Sequence, residues 1–342
     1  MRYFPFYRPP AVRLLALGVI FVLLLGACGS TSSSSGTPTS TPTAAAKGTV
    51  AVAYAASLSN ILENSVKSAF DSSTGYTFQG EAKGSSALVN EIKGKLSFPD
   101  VFISANPKLN AQLMGSANGN YASWYLDFAR TEMVIGYNPN SKFAADFQAA
   151  ASGSKPWYQV LEEPGLRLGR TDPLLDPKGV NTIYTLELAE AYYHQPGLAQ
   201  KILGSDENAS QIFPEEELVT RMTSGQLDAG FFYINEVKGP NIPSISLPDQ
   251  VNLGNATMAA QYATVSWTNP KTKAVSKGAP VVYTLTVLNT AKNMAGGIAF
   301  ANFLLSSQGQ SLLQAQGVLT TPFTAGGDKT AIPQQLQQYV QS

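Results

Sequence analysis

The stretch Gly169-Arg170-Thr171-Asp172-Pro173-Leu174-Leu175-Asp176-Pro177-Lys178-Gly179 gathers two Asp-Pro turns between what reads as the end of a strand and the start of a helix. Two other junctions have the same form. Ala56-Ser57 follows the apolar run Thr49–Ala55, and Gly84-Ser85-Ser86 precedes Leu88, Val89 and Ile92 at helical spacing. Open α/β sheets bind ligands beyond the carboxyl ends of their strands, where helix N-termini present free N–H groups. Ser57 and Ser85 offer hydroxyls without charge there, which suits an oxyanion. Each position also has an ordinary reading. Ser57 and Ser85 can serve as helix caps, and Asp176 before Pro177 as a turn residue. Glu215, Glu216 and Glu217 sit at a helix start, where carboxylates complement the dipole. Tyr233 ends a buried strand and can simply pack.

The elements that must position these residues follow from periodicity. Thr49–Ala55, Tyr76–Gly80, Asp100–Ser104, Thr131–Tyr137, Leu166–Arg170, Ala229–Ile234 and Pro280–Leu288 read as strands. Leu58, Ile61, Leu62, Val66, Ala69 and Phe70 recur at helical spacing behind Ser57, the expected cap. Further helices are expected over Val180–Tyr193, Glu216–Ser224, Ala291–Leu305 and Gln308–Gln316. Strands alternating with helices argue for an α/β fold with mixed, mostly parallel sheets flanked by helices. His194, the only histidine, stands at a helix end before Gln195-Pro196-Gly197 and has no Ser-His-Asp context. No phosphate loop, zinc signature or nucleophile elbow is found, so a non-enzyme is expected with no cofactor.

Cys28, the only cysteine, follows Leu25-Gly26-Ala27. Arg2, Arg8 and Arg13, the apolar run Leu14–Leu25 and these small residues form an export signal over residues 1–27. It resembles a bacterial lipoprotein signal, in which Cys28 carries the lipid. The run falls short of the roughly 20 residues a spanning helix needs. One cysteine excludes an intrachain disulfide and cysteine-built zinc sites. Residues 28–47 are a Ser/Thr/Pro-rich tether. Losing the three leader arginines leaves 20 basic against 23 acidic residues, a net of −3, and no basic excess for nucleic acid. Export, anchor, tether and αβ alternation together suggest a two-lobe solute-binding protein held outside the cytoplasmic membrane, on a cell surface or in a periplasm.

The segments around Ser57, Ser85 and Asp176, then Pro214-Glu215-Glu216-Glu217-Leu218 and Ser224-Gly225-Gln226-Leu227-Asp228…Tyr233, resemble in order and spacing the tungstate/molybdate-binding proteins of ABC transporters. The resemblance implies a type II periplasmic-binding-protein-like fold with a ligand cleft between lobes. One lobe would be 48–130 plus 240–342 and the other 131–239. It further implies a monomer serving an ABC permease. By motif, Ser57 and Ser85 correspond to serines that hold oxo groups, and Tyr233 to a tyrosine at a strand end. Asp176 and Glu215 correspond to carboxylates that bind the molybdenum or tungsten directly, with Glu217 as rival to Glu215. Pro177 and Lys178 complete the candidate set. The family pattern has a small neutral residue where Lys178 stands and Tyr where Val180 stands. Lys178 is read as a solvated helix start, and facing inward it would instead be a charge partner for the anion.

Two carboxylates beside a dianion are repulsive, and burial raises their pKa values. Sulfate and phosphate sites should therefore avoid them. Tungsten(VI) and molybdenum(VI) are hard centres that accept further oxygen ligands, so the same pair becomes coordination once the metal's charge is counted. The expected function is capture of tungstate or molybdate for import. The alternative is a binding protein for sulfate, thiosulfate, phosphate or a small organic acid.

Overall fold

The computed structural model describes residues 47–340. Cys28, the leader and nearly all of the tether lie outside the described residues. Among the described residues twelve strands form: Thr49–Ala55 (β1), Thr77–Lys83 (β2), Val101–Ser104 (β3), Trp124–Thr131 (β4), Met133–Tyr137 (β5), Leu168–Gly169 (β6), Ala229–Tyr233 (β7), Ser244–Ser246 (β8), Ser266–Thr268 (β9), Val275–Lys277 (β10), Val281–Val287 (β11) and Thr324–Gly327 (β12). They build a six-stranded sheet in the order β12-β4-β11-β3-β1-β2, a four-stranded sheet β6-β7-β5-β8, and the hairpin β9-β10.

The expected runs become strands because they are continuously apolar and buried on both faces. β3, β5 and β7 are buried throughout. The parallel share is smaller than the alternation suggested. β1 runs parallel to β2 and β3, and β6 to β7. β11 is antiparallel to both β3 and β4, β12 to β4, and β5 to both β7 and β8. The reason is topological. β11 arrives after the chain has built the four-stranded sheet, so it enters the first sheet from the opposite end. Thr131–Tyr137, expected as one strand, is divided at Glu132, where the chain passes from one sheet to the other.

The return passage, between β8 and β11, runs beside the outward one. Met133 N–H donates to Asn252 O at 2.7 Å, and Val281 N–H to Leu253 O at 2.9 Å. Helix Met294–Leu305 covers the larger sheet, with Phe300 and Phe303 edge-on to Phe70 at ring separations of 5.2 and 5.8 Å. Helix Pro177–Tyr193 buries Ile183, Leu186, Leu188 and Ala189. It ends at His194, whose left-handed backbone (φ 53°) makes it the C-terminal cap residue. Among the described residues, no helix is long and apolar enough to cross a membrane.

Candidate functional site

At the end of β1 the chain turns through a single 3₁₀ turn, Ala56–Leu58, and Ser57 is buried inside it. Ser57 does not cap the following helix as expected, because the residue before the turn is Ala55 and no side chain caps it. Its hydroxyl instead accepts from Tyr283 Oη at 3.1 Å, and its carbonyl accepts from Asn235 Nδ2 at 2.6 Å. Ser85 is the first residue of helix Ser85–Lys93, fully buried, and its Oγ accepts from the Ala105 N–H at 3.2 Å.

Asp176 caps helix Pro177–Tyr193. Its Oδ1 accepts from the Lys178 N–H at 3.1 Å, and Pro177 occupies the first helical position, where no N–H is needed. This cap uses one oxygen. Asp176 Oδ2 is buried with no hydrogen-bond partner. Two glycines let the loops come this close. A Cβ on Gly179 would stand 2.6 Å from Thr171 O and from Pro173 N, and one on Gly84 would stand 2.6 Å from Leu175 O. The Ala87 N–H donates to Leu175 O at 3.0 Å, so the Ser85 helix start and the Asp176 loop are joined directly.

Lys178 overturns the expectation of a solvated helix start: its side chain is wholly buried. Nζ lies 2.5 Å from Glu236 Oε1 and 3.2 Å from Glu215 Oε1. The aromatic rings of Tyr233 and Phe232 stand 5.6 and 5.9 Å from it. The reason is charge pairing, since an ammonium so placed tolerates burial only with counter-ions at hand. Burial alone would lower the Lys178 pKa. Glu236, Glu215 and Asp176 outweigh it and hold the pKa above the ordinary lysine value.

Glu215 begins helix Glu215–Thr223 and is buried, whereas Glu216 and Glu217 are exposed. Its Oε2 accepts from the Ala56 N–H at 3.0 Å. Its Oε1 meets Lys178 as an ion contact without an aligned hydrogen bond. Glu217 pairs with Arg221 at the surface, 2.5 Å apart. Burial, then the nearby Asp176 charge, pushes the Glu215 pKa well above the ordinary carboxylate value; Lys178 offsets part of this. Asp176 and Glu236 are also raised by burial, with Lys178 opposing. Tyr233 is fully buried, and its Oη accepts from Asn181 Nδ2 at 2.9 Å.

The structure therefore brings Ser57, Asp176, Pro177, Lys178, Glu215 and Tyr233 to one place, with Ser85 joined through the Ala87–Leu175 contact. Three residues of this cluster were not singled out from sequence. Glu236 holds Lys178 and accepts the Tyr233 N–H at 2.7 Å. Asn235 links Ser57 to Thr131, whose hydroxyl donates to Asn235 Oδ1 at 2.7 Å. Tyr283 reaches Ser57 from β11. The Tyr-Ile-Asn-Glu spacing of a helix start was the available signal for Glu236. Tyr283 sits within an apolar run and gave none.

Two mixed sheets flanked by helices, with several helix starts gathered where the sheets meet, define an α/β fold of the periplasmic-binding-protein class. Accordingly, the fold is similar to the periplasmic molybdate-binding protein of Azotobacter vinelandii, with a TM-score of 0.57 over 80% of this chain and 99% of that one, at 17% identity. The model of the bacterial extracellular solute-binding protein family matches residues 50–319, and the chain belongs to that family. A solute-binding protein of Petrotoga mobilis is 30% identical over 86% of this chain and 90% of its own length. The molybdate/tungstate-binding protein WtpA of Pyrococcus abyssi is 27% identical over 96% of this chain and 98% of its own.

Proposed function

We propose that this chain captures tungstate or molybdate between two lobes, residues 48–130 plus 240–342 and residues 131–239, and delivers it to an ABC permease. It acts as a monomer held at the membrane by lipid on Cys28, and it performs no chemistry on its cargo. The names of the Pyrococcus relative and of a Haloferax volcanii relative, a putative ABC transporter molybdenum-binding protein, support the ligand class. One observation carries the reading: Asp176 and Glu215 are both buried in one cluster, Asp176 Oδ2 has no hydrogen-bond partner, and Glu215 Oε1 meets only the Lys178 ammonium. Two buried carboxylates that share one ammonium with Glu236 are costly to keep charged, and a hard metal centre is a partner that would repay it.

Around that pair the other groups have distinct tasks. Ser57 and Ser85 donate hydroxyl protons to oxo groups. The start of helix Pro177–Tyr193 faces the anion with its positive end. Lys178 neutralises Glu236 and stands beside Glu215 until that carboxyl gives up its proton to the solvent and takes the metal. The two passages between lobes, at Glu132 and at residues 247–280, lie side by side and serve as the hinge.

A second reading keeps the fold and takes sulfate, phosphate or an organic acid. The buried Lys178 ammonium favours it, because such anions need a cation more than a carboxylate pair. Calorimetry separates the two. Tungstate binding that persists in excess sulfate, and is lost together with its selectivity in Asp176→Ala/Glu215→Ala, supports the metal-coordinating site. Tight sulfate binding with no response to tungstate, or unchanged affinity in the double variant, overturns it.

A further inference from the structure

A cavity of about 430 Å³ opens against the site and shares Pro177 with it. Its inner wall includes Ser86, Pro177 and Asn181, the neighbours of Ser85, Asp176 and the Tyr233 hydroxyl. Its outer wall includes Lys108 from the larger sheet's side and Lys271 and Lys277 from the β9-β10 hairpin. All three lysines are exposed, and none forms an ion pair among the described residues. No Asp or Glu lines the cavity. The hairpin is fixed in this position by Tyr184 Oη against Ser276 Oγ at 2.6 Å, and by Trp267 Nε1 donating to Asp206 Oδ2 at 3.0 Å.

The contrast with the inner cluster matters for a charged ligand. Asp176, Glu215 and Glu236 surround a single ammonium, so the inner site offers an approaching dianion no excess of positive side-chain charge. An acid-free, lysine-lined forecourt supplies that charge along the approach, and a concave wall concentrates the effect.

We propose that this cavity is an anion-collecting vestibule, in which Lys108, Lys271 and Lys277 gather small oxyanions and pass them to the Asp176–Glu215 site. The vestibule rests on the oxyanion reading above. It governs how fast the ligand arrives and leaves the final coordination untouched.

The test is stopped-flow tungstate binding followed by tryptophan fluorescence, Trp267 lying in the cavity wall. Rates are compared in about 10 mM and about 1 M salt, where the Debye length is roughly 30 and 3 Å. In K108Q/K271Q/K277Q, association falls about tenfold at low salt and converges with wild type at high salt. Its dissociation rate stays unchanged. The control K93Q/K201Q/K329Q removes equal charge from exposed positions outside the cavity and keeps the wild-type rate. Surface exchanges of this kind change stability little, so folding does not confuse the comparison. An unaltered association rate in the first variant, or equal slowing in both, overturns the vestibule. A wild-type chain that binds no oxyanion overturns the underlying reading instead.

Discussion

The two halves of the site are built from different chemistry. The six-stranded half contributes Ser57, Ser85, Tyr283 and the Ala56 N–H, all neutral donors or acceptors. The four-stranded half contributes Asp176, Lys178, Glu215 and Glu236, the whole of the charge. A neutral hydrogen bond is worth about 0.5–1.5 kcal/mol net, while breaking a buried ion pair from one side costs about 3–5 kcal/mol. On the proposed function, the charged half would determine which ligand is tolerated, and the neutral half would adjust how well it is oriented. The bond from the Ala56 N–H to Glu215 Oε2 and that from Asn235 Nδ2 to Ser57 O tie the two together.

Removing the ammonium should expose this asymmetry most. Lys178→Met leaves Glu236 and Glu215 buried without their cation, and denaturant unfolding should report a loss of about 3–5 kcal/mol. Adding Glu236→Gln should recover much of it. A single variant as stable as wild type would show that the charged half is not held by ion pairing.

The second expectation concerns protons. The Glu215 pKa is raised above 4.5 by burial. Its contribution to folding is therefore present below the ordinary value and lost as pH rises through the raised one. A metal-bound Glu215 must be ionised, so tungstate binding should release a proton and weaken as pH falls below the raised pKa. Calorimetric heats that vary with the buffer's ionisation enthalpy, in the sense of release, are predicted. Buffer-independent heats would remove Glu215 from the metal.

On the neutral side the effect should be smallest. Tyr283→Phe removes the donor to Ser57 Oγ, and affinity should drop by the equivalent of about 0.5–1.5 kcal/mol. A loss as large as that in Asp176→Ala/Glu215→Ala would erase the distinction between the halves.

The same asymmetry explains what could be read from sequence. β1, β3, β7 and β11 are legible because each is a continuous apolar run. The Asp-Pro-Lys-Gly motif is legible because turn and cap chemistry is local. Trp124–Thr131 escaped notice, although Trp124, Leu126 and Phe128 alternate with more exposed neighbours. The inward turn of Lys178 could not be read locally, because its counter-ions come from two other elements, and a charged residue at a helix start ordinarily faces water. The supporting Tyr283 was hidden for the opposite reason: its strand is apolar enough to need no polar explanation.

The central claim is that the charged half coordinates the metal itself. X-ray absorption at the tungsten edge of the tungstate complex tests it most directly. Coordination by Asp176 and Glu215 predicts more oxygen neighbours than the four of free tungstate, whereas tungstate mixed with Asp176→Ala/Glu215→Ala keeps the four of the free ion. A four-coordinate, tetrahedral tungsten in the wild-type complex would contradict it.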